Sequence, residues 1–255
     1  MTDTAPTAAL LIIGNEILSG RTQDANMAFI AKHLGALGIR FREARVVPDE
    51  EAEIVAAVNA LRARYTYVFT TGGIGPTHDD ITAECIAKAF GVPLIRNEEA
   101  VRRLENHYSG TGLLNEARLR MANTPEGAIL IDNPVSTAPG FQIGNVFVMA
   151  GVPVIMQAML TGIGDRLVGG PVVKTKSVAS AIPEGSFADT LRAIAAAYPG
   201  VDIGSYPAFR QGKVSTALVL RGTDPAMLEA VTERVADMLR ALGSDPIIMD
   251  GYGEG

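Results

Sequence analysis

The segment Thr71-Gly72-Gly73-Ile74-Gly75-Pro76-Thr77-His78-Asp79-Asp80 holds the chain's strongest candidates for chemistry. Glycine has no Cβ, so the backbone N–H groups at Gly72, Gly73 and Gly75 can approach an anion closely. A helix that starts just beyond such a loop adds the partial positive charge of its N-terminus. Thr71 and Thr77 can add hydroxyl donors. A carboxylate beside a phosphate is repulsive unless a cation lies between them, so Asp79 and Asp80 point to a divalent ion such as Mg²⁺. The competing reading is a plain glycine turn in which Asp79 or Asp80 caps the next helix.

Other segments fall where the same sheet edge would gather them. Gly14-Asn15-Glu16-Ile17-Leu18 follows a first apolar run, and Asp24 and Asn26 stand at the start of a helix. Val47-Pro48-Asp49-Glu50 follows a second run. Glu16 and Asp49 are candidate metal ligands beside Asp80, or a solvated acid and a helix cap. In Ser136-Thr137-Ala138-Pro139-Gly140-Phe141 the Thr137 hydroxyl either faces the pocket or belongs to an ordinary Pro-Gly turn.

Competing chemistries find little support. One cysteine, Cys85, and three histidines, His33, His78 and His107, compose no zinc site. His33 and His107 fall in predicted helices as surface or packing residues, and His78 is a loop histidine that either meets ligand or is solvated. Arg118 or Arg120 could neutralise a phosphate, with surface placement the leading reading for both. No P-loop occurs, no G-x-G-x-x-G follows the first strand, and no serine sits in a G-x-S-x-G elbow.

The elements that must carry these loops alternate. Ala8–Ile13, Phe41–Val47 and Tyr67–Thr71 read as strands. Helices are expected near Met27–Leu34, closed by Gly38, after Asp49 as N-cap with Ile54, Ala57, Val58 and Leu61 buried, and from Ile81 to Phe90. Continuous apolar strands with helical crossovers imply a parallel sheet buried on both faces. Two helices within 98–121 follow, then short strands at Ala128–Ile131, Phe141–Ile143 and Val146–Ala150, and a helix from Pro153 to about Ile163. Glycines from Gly162 to Gly170 place a boundary near 168. The expected organisation is a doubly wound, mostly parallel α/β domain over 1–168 and a smaller α+β domain of βαββα order over 169–243. Residues 244–255 are expected to be a loosely ordered tail. In the small domain Ser186 and Asp224 are the expected helix caps, the latter with Pro225 at the first helical position.

Composition sets further bounds. The chain has 255 residues, 47% hydrophobic and 20% charged, which is a globular balance. A net charge of −6 argues against a nucleic-acid partner. A single cysteine and the lack of a long apolar run lead to an expected cytoplasmic protein without membrane contact. The oligomeric state, a homo-oligomer among the options, is left open.

Several stretches together resemble the molybdopterin-binding-like (MoaB/Mog) domain of the CinA competence/damage-inducible family. Gly14-Asn15-Glu16-Ile17-Leu18 is similar to its G-x-E-[LI]-L strand exit, and Asp24-Ala25-Asn26 to its N-T-N segment. Thr71–Thr82 matches T-G-G-x-G-P-T-x-D-D-x-T. Pro125–Ala128, Thr137–Phe141 and Gly151–Pro153 resemble the downstream P-E-G-A, T-A-P-G-F and G-V-P marks. The order holds from residue 8 to about 163, and Val172–Leu242 resembles the small domain that follows. The chain departs from the pattern at Ser136, at Arg120-Met121-Ala122 in place of K-Q-A, and at Met149-Ala150 in place of L-P. The resemblance contains no counterpart of the family's C-terminal amidase domain, so deamidase activity is not expected.

The resemblance implies a doubly wound fold whose glycine loop takes a phosphate-bearing ligand, a nucleotide or a pterin. It also implies that Asp49 and Asp80 serve the site. The leading expectation is metal-dependent hydrolysis of a nucleotide pyrophosphate such as ADP-ribose. The alternatives are an adenylyltransferase or carrier role toward molybdopterin, and a binding module without chemistry.

Overall fold

The computed structural model describes residues 5–210 and 213–252. The chain divides into two compact units, Met1–Gly170 and Pro171–Gly255.

The first unit opens with β1 (Thr7–Ile13), a short α1 (Asn15–Leu18), α2 (Asn26–Ala36), β2 (Arg40–Val47), α3 (Glu51–Arg64), β3 (Tyr67–Thr71) and α4 (Thr82–Phe90). It continues through β4 (Leu94–Arg96), α5 (Glu98–Tyr108), α6 (Glu116–Leu119), β5 (Asn123–Pro125), β6 (Ile129–Ile131), β7 (Gly140–Ile143), β8 (Val146–Met149) and α7 (Pro153–Gly162). The six-stranded sheet has the order β2-β1-β3-β8-β7-β6. Pairings among β2, β1, β3 and β8 are parallel, while β8-β7 and β7-β6 are antiparallel. Gly144, at φ 53°, makes the β7-β8 turn expected from Gly144-Asn145.

The apolar run of β1 explains the double winding. Ala9, Leu11 and Ile13 face a core built with Ile54 and Leu61 of α3 and Cys85 and Ile86 of α4. Ala8, Leu10 and Ile12 face the opposite core, with Ile30 and Leu34 of α2 and Met156 and Leu160 of α7. Both faces of the strand are thus sealed. Each fully buried leucine of β1 contributes about 2 kcal/mol of apolar burial, which fixes the register that aligns the strand ends.

Two strands of the first unit are not expected from the sequence. β4 and β5 pair antiparallel in a separate ribbon, Leu94 opposite Pro125 and Arg96 opposite Asn123. Each spans three residues, too few to show a period.

In the second unit β9 (Lys174–Ser180), α8 (Ala188–Ala197), β10 (Val201–Arg210), β11 (Lys213–Gly222), α9 (Pro225–Ala241) and β12 (Ile247–Asp250) form a four-stranded sheet ordered β10-β11-β9-β12. Asp224 caps α9 as expected, accepting from the N–H groups of Ala226 and Met227. Two expectations fail here. Ser186 does not cap α8, whose N-cap is Phe187, because Glu184–Ser186 winds into a 3₁₀ turn ahead of the helix. Nor are residues 244–255 a loose tail throughout, since Ile247–Asp250 pairs antiparallel with β9. Partly buried Ile248 packs there against the core. Among the described residues no helix is long and apolar enough to cross a membrane.

Candidate functional site

The carboxyl ends of β1, β3 and β8 meet at Gly72. It adopts φ 101°, and a Cβ there would collide with the carbonyl oxygen of Ile13. From the other side, a Cβ on Gly151 would lie 3.3 Å from the Gly72 Cα. Only glycine fits between these two backbones. Gly72 donates its N–H to the Met149 carbonyl at 3.3 Å, so it is spent on structure and not on ligand.

Beyond it the loop opens. Gly73 has φ 67°, and its carbonyl accepts from the Thr82 N–H at 3.0 Å. The Thr82 hydroxyl reaches back to the Gly72 carbonyl at 3.0 Å, which locks the loop to the first turn of α4. Among the described residues no hydrogen bond uses the backbone N–H of Gly73, Ile74 or Gly75. Gly73 and Gly75, with Ile74 and Asp80, line a cleft together with Arg120, Met121 and Phe141. The ribbon of β4 and β5 contributes Leu94 and Asn123 to its wall.

Neither acid of the loop caps α4, whose N-cap is Ile81 without a side-chain bond. Both carboxylates turn to Thr77 instead. Asp80 Oδ2 accepts from the Thr77 N–H at 2.8 Å and lies 2.5 Å from Thr77 Oγ1. Asp79 Oδ1 lies 2.6 Å from the same hydroxyl. A threonine carries one hydroxyl proton, so it can serve only one of the two carboxylates at a time. The Thr77 hydroxyl is therefore occupied by acids and not offered to a phosphate. It holds the Asp79 carboxyl below the ordinary aspartate range, helped by the backbone N–H of Asp79 itself. His78 is almost fully solvated.

Asp49 is not the cap of α3, a position held by Glu50. Its carboxylate crosses to the neighbouring strand exit and accepts from the Asn15 N–H at 2.9 Å. Glu16 folds its carboxylate back over Gly14. Asp80 lines the cleft, while Asp49 and Glu16 do not. The structure thus does not unite the three expected metal ligands. Among the described residues no three acidic, histidine or cysteine side chains group closely enough to hold a metal ion.

The remaining candidates divide. Asn26 donates from Nδ2 to the Gly151 carbonyl at 2.8 Å, tying α2 to the loop after β8. Thr71 is buried and its hydroxyl has no partner, but neither has that of Thr70, so the orphaned hydroxyl alone marks no ligand. Thr137 is the one non-glycine residue at positive φ among the described residues, 69°, and its hydroxyl pairs with Nδ1 of His107 at 3.0 Å. That backbone is costly for a β-branched residue. The loop is held by a residue that sequence reasoning passed over. Asn133, nearly buried, accepts from the N–H groups of Val135 and Ser136 and donates to Ser136 Oγ and the Ala138 carbonyl. An Asn-Pro pair three residues before the T-A-P-G-F stretch was the available signal. Of the two arginines weighed for a phosphate, Arg120 lines the cleft.

Residues 9–168 match the family model described as "Probable molybdopterin binding domain". The chain belongs to that family, and within it is CinA-like. Residues 173–245 match a second model, "FAD synthase, middle domain". A protein of Pyrobaculum calidifontis is 37% identical over 212 residues, covering 79% of this chain and 81% of that one. A "Probable FAD synthase" of Caenorhabditis elegans is 32% identical over 260 residues, 91% of this chain and 50% of the relative. Among solved structures, the protein CinA from Thermoplasma acidophilum, described as of unknown function, aligns with TM-score 0.59 and 37% identity. That alignment covers 63% of this chain and 98% of the other. The CinA-like molybdopterin-binding domain is thus followed by one like the middle domain of FAD synthase.

Proposed function

We propose that the cleft beside Gly73-Ile74-Gly75 binds a phosphorylated nucleotide or pterin and hydrolyses a nucleotide pyrophosphate such as ADP-ribose. The observation that carries this reading is the run of unspent N–H groups at Gly73, Ile74 and Gly75, residues that line the same cleft as Asp80 and are tied to the start of α4 through Thr82. Backbone donors at a helix start favour an anion without needing a basic side chain. The relation to FAD synthase favours a dinucleotide class, since FAD itself joins an AMP to a second phosphate.

A divalent cation fits the residues present. Asp80 Oδ1 has no protein partner among the described hydrogen bonds, and Asp79 and Asp80 crowd one hydroxyl proton. Mg²⁺ is commonly held by one or two carboxylates plus substrate phosphates and waters, so the lack of a three-acid cluster is compatible with such an ion. Asp80 would hold it. When bound, such an ion neutralises charge on the pyrophosphate and lowers the pKa of water. The chain's own part is to hold phosphate oxygens on the glycine N–H groups, with the loop fixed by Thr82 and the acids oriented by Thr77.

The test is direct. Purified protein with ADP-ribose and Mg²⁺ should release AMP and ribose phosphate, EDTA should stop the release, and Asp80→Asn should abolish it with the melting temperature little changed. Pyrophosphate release from ATP only when molybdopterin is present would favour the adenylyltransferase reading, to which the family's description lends weight. Saturable nucleotide binding with neither product across Mg²⁺, Mn²⁺ and Co²⁺ would leave a binding module.

A further inference from the structure

The cleft has one cationic side chain in its lining, Arg120, and this arginine is bound differently from its neighbours. Arg96 and Arg103 place guanidinium nitrogens 3.0 Å or less from carboxylate oxygens of Glu116, Glu99 and Asp132. Arg120 makes only a loose ion pair, Nη2 to Glu84 Oε1 at 3.7 Å, and no hydrogen bond among the described residues. A guanidinium carries five N–H donors in a planar fork suited to two oxygens of one phosphate. Those donors are unspent, and two-thirds of the side chain is shielded from water.

The backbone that carries Arg120 is fixed. The 3₁₀ turn Arg120–Ala122 follows α6, whose start is capped by Asn115. Ala122 is fully buried against Ala100 and Leu104 of α5, and its carbonyl accepts from the Asn97 N–H at 2.9 Å. Glu84 sits in the first turn of α4, directly after the glycine loop. Arg120 therefore lines the same cleft as the loop residues with free N–H groups, and its one ion pair among the described residues is to an acid that an incoming anion can replace.

We infer that Arg120 is the phosphate-recognising side chain of this cleft, and that Glu84 holds it in reserve until a phosphorylated ligand displaces the pair. The inference rests on the proposed phosphate-binding reading and adds to it a specificity residue with a built-in competitor. Glu84 offsets the charge of Arg120 in the free protein. A phosphate or pyrophosphate group can meet the guanidinium fork with two oxygens, closer than a carboxylate at 3.7 Å, whereas uncharged nucleosides gain nothing from Arg120.

The experiment titrates ADP, with Mg²⁺ present, into the full chain and into Arg120→Ala, Arg120→Lys and Glu84→Gln, with melting temperatures taken for each. Arg120→Ala should weaken ADP binding about tenfold or more, and Arg120→Lys by less, since lysine keeps the charge but not the fork. Glu84→Gln should tighten ADP binding about threefold, because it frees Arg120 and removes an acid from the rim. A purely structural ion pair would instead make Arg120→Ala and Glu84→Gln weaken binding in parallel, and that result overturns the inference. So does an unchanged ADP affinity in Arg120→Ala or, if that variant unfolds, in Arg120→Lys. Wild-type protein that binds no ADP would remove the phosphate reading as well, whereas binding that ignores Arg120 removes this inference alone.

Discussion

The carboxylate of Asp49 accepts a 2.9 Å hydrogen bond from the backbone N–H of Asn15, joining the exit of β2 to the exit of β1. An aspartate after Pro48 reads as a helix cap in sequence, and here it spans strands instead. Replacing Asp49 with alanine should lower stability by about 1 kcal/mol, while asparagine, which can still accept, should cost less. Urea unfolding of the two variants checks this. Equal losses would mean that the acceptor atom is not what matters.

Gly72 should tolerate no side chain. Gly72→Ala forces a Cβ onto the Ile13 carbonyl at a φ of 101°, and a loss above roughly 3 kcal/mol is expected. Gly110 also has positive φ, 73°, but open space around it. Gly110→Ala should cost only about 1 kcal/mol, the left-handed penalty alone. Denaturant midpoints measured side by side separate steric collision from backbone preference.

The Thr77 hydroxyl holds the Asp79 carboxyl below its ordinary range. A carboxylate with a depressed folded pKa adds stability above its unfolded pKa, and that contribution is lost as pH falls through the folded value. Thr77→Val should therefore move the Asp79 titration upward, read by carboxyl-carbon NMR. The Asp79 part of its stability deficit should be present at neutral pH and vanish in acid. A titration that stays put in the variant would assign the shift to the backbone N–H of Asp79.

Cys85 sits on the buried face of α4, and burial, with Glu51 and Glu84 nearby, pushes its thiol up to about 11. The thiolate is the reactive form. A thiol-specific reagent at pH 8 should leave the folded protein untouched and label it fully in denaturant. Fast labelling of native protein would show that α4 opens readily from the sheet, next to the glycine loop.

What the sequence disclosed follows the strength of each local signal. β1 is an unbroken apolar run over residues 8–13, β3 opens with Tyr67-Val68-Phe69, and α3 repeats Ile54, Ala57, Val58 and Leu61 at helical spacing, so burial on both sides of the sheet was legible. The glycine loop was legible because φ above zero and close backbone approach demand glycine at Gly72. The strands β4, β5 and β12 were not, since no short turn joins them to their pairing partners as Gly144-Asn145 joins β7 to β8. Side-chain destinations were least legible. Asp49, Asp80 and Arg120 could each satisfy a local role, and only the fold decided that Asp49 bridges strands while Asp80 and Arg120 face one cleft.

The pairing of Ile247–Asp250 with β9 leaves β9 flanked on both sides, by β11 and by β12. A chain stopped at Asp245, where the second matched region ends, would present the backbone of Lys174–Ser180 as an open ladder. Open ladders template self-association, with identical strands of other molecules as the readiest partners. The shortest fragment spanning both matched regions would thus be the one most prone to aggregate, although it lacks no residue of the cleft.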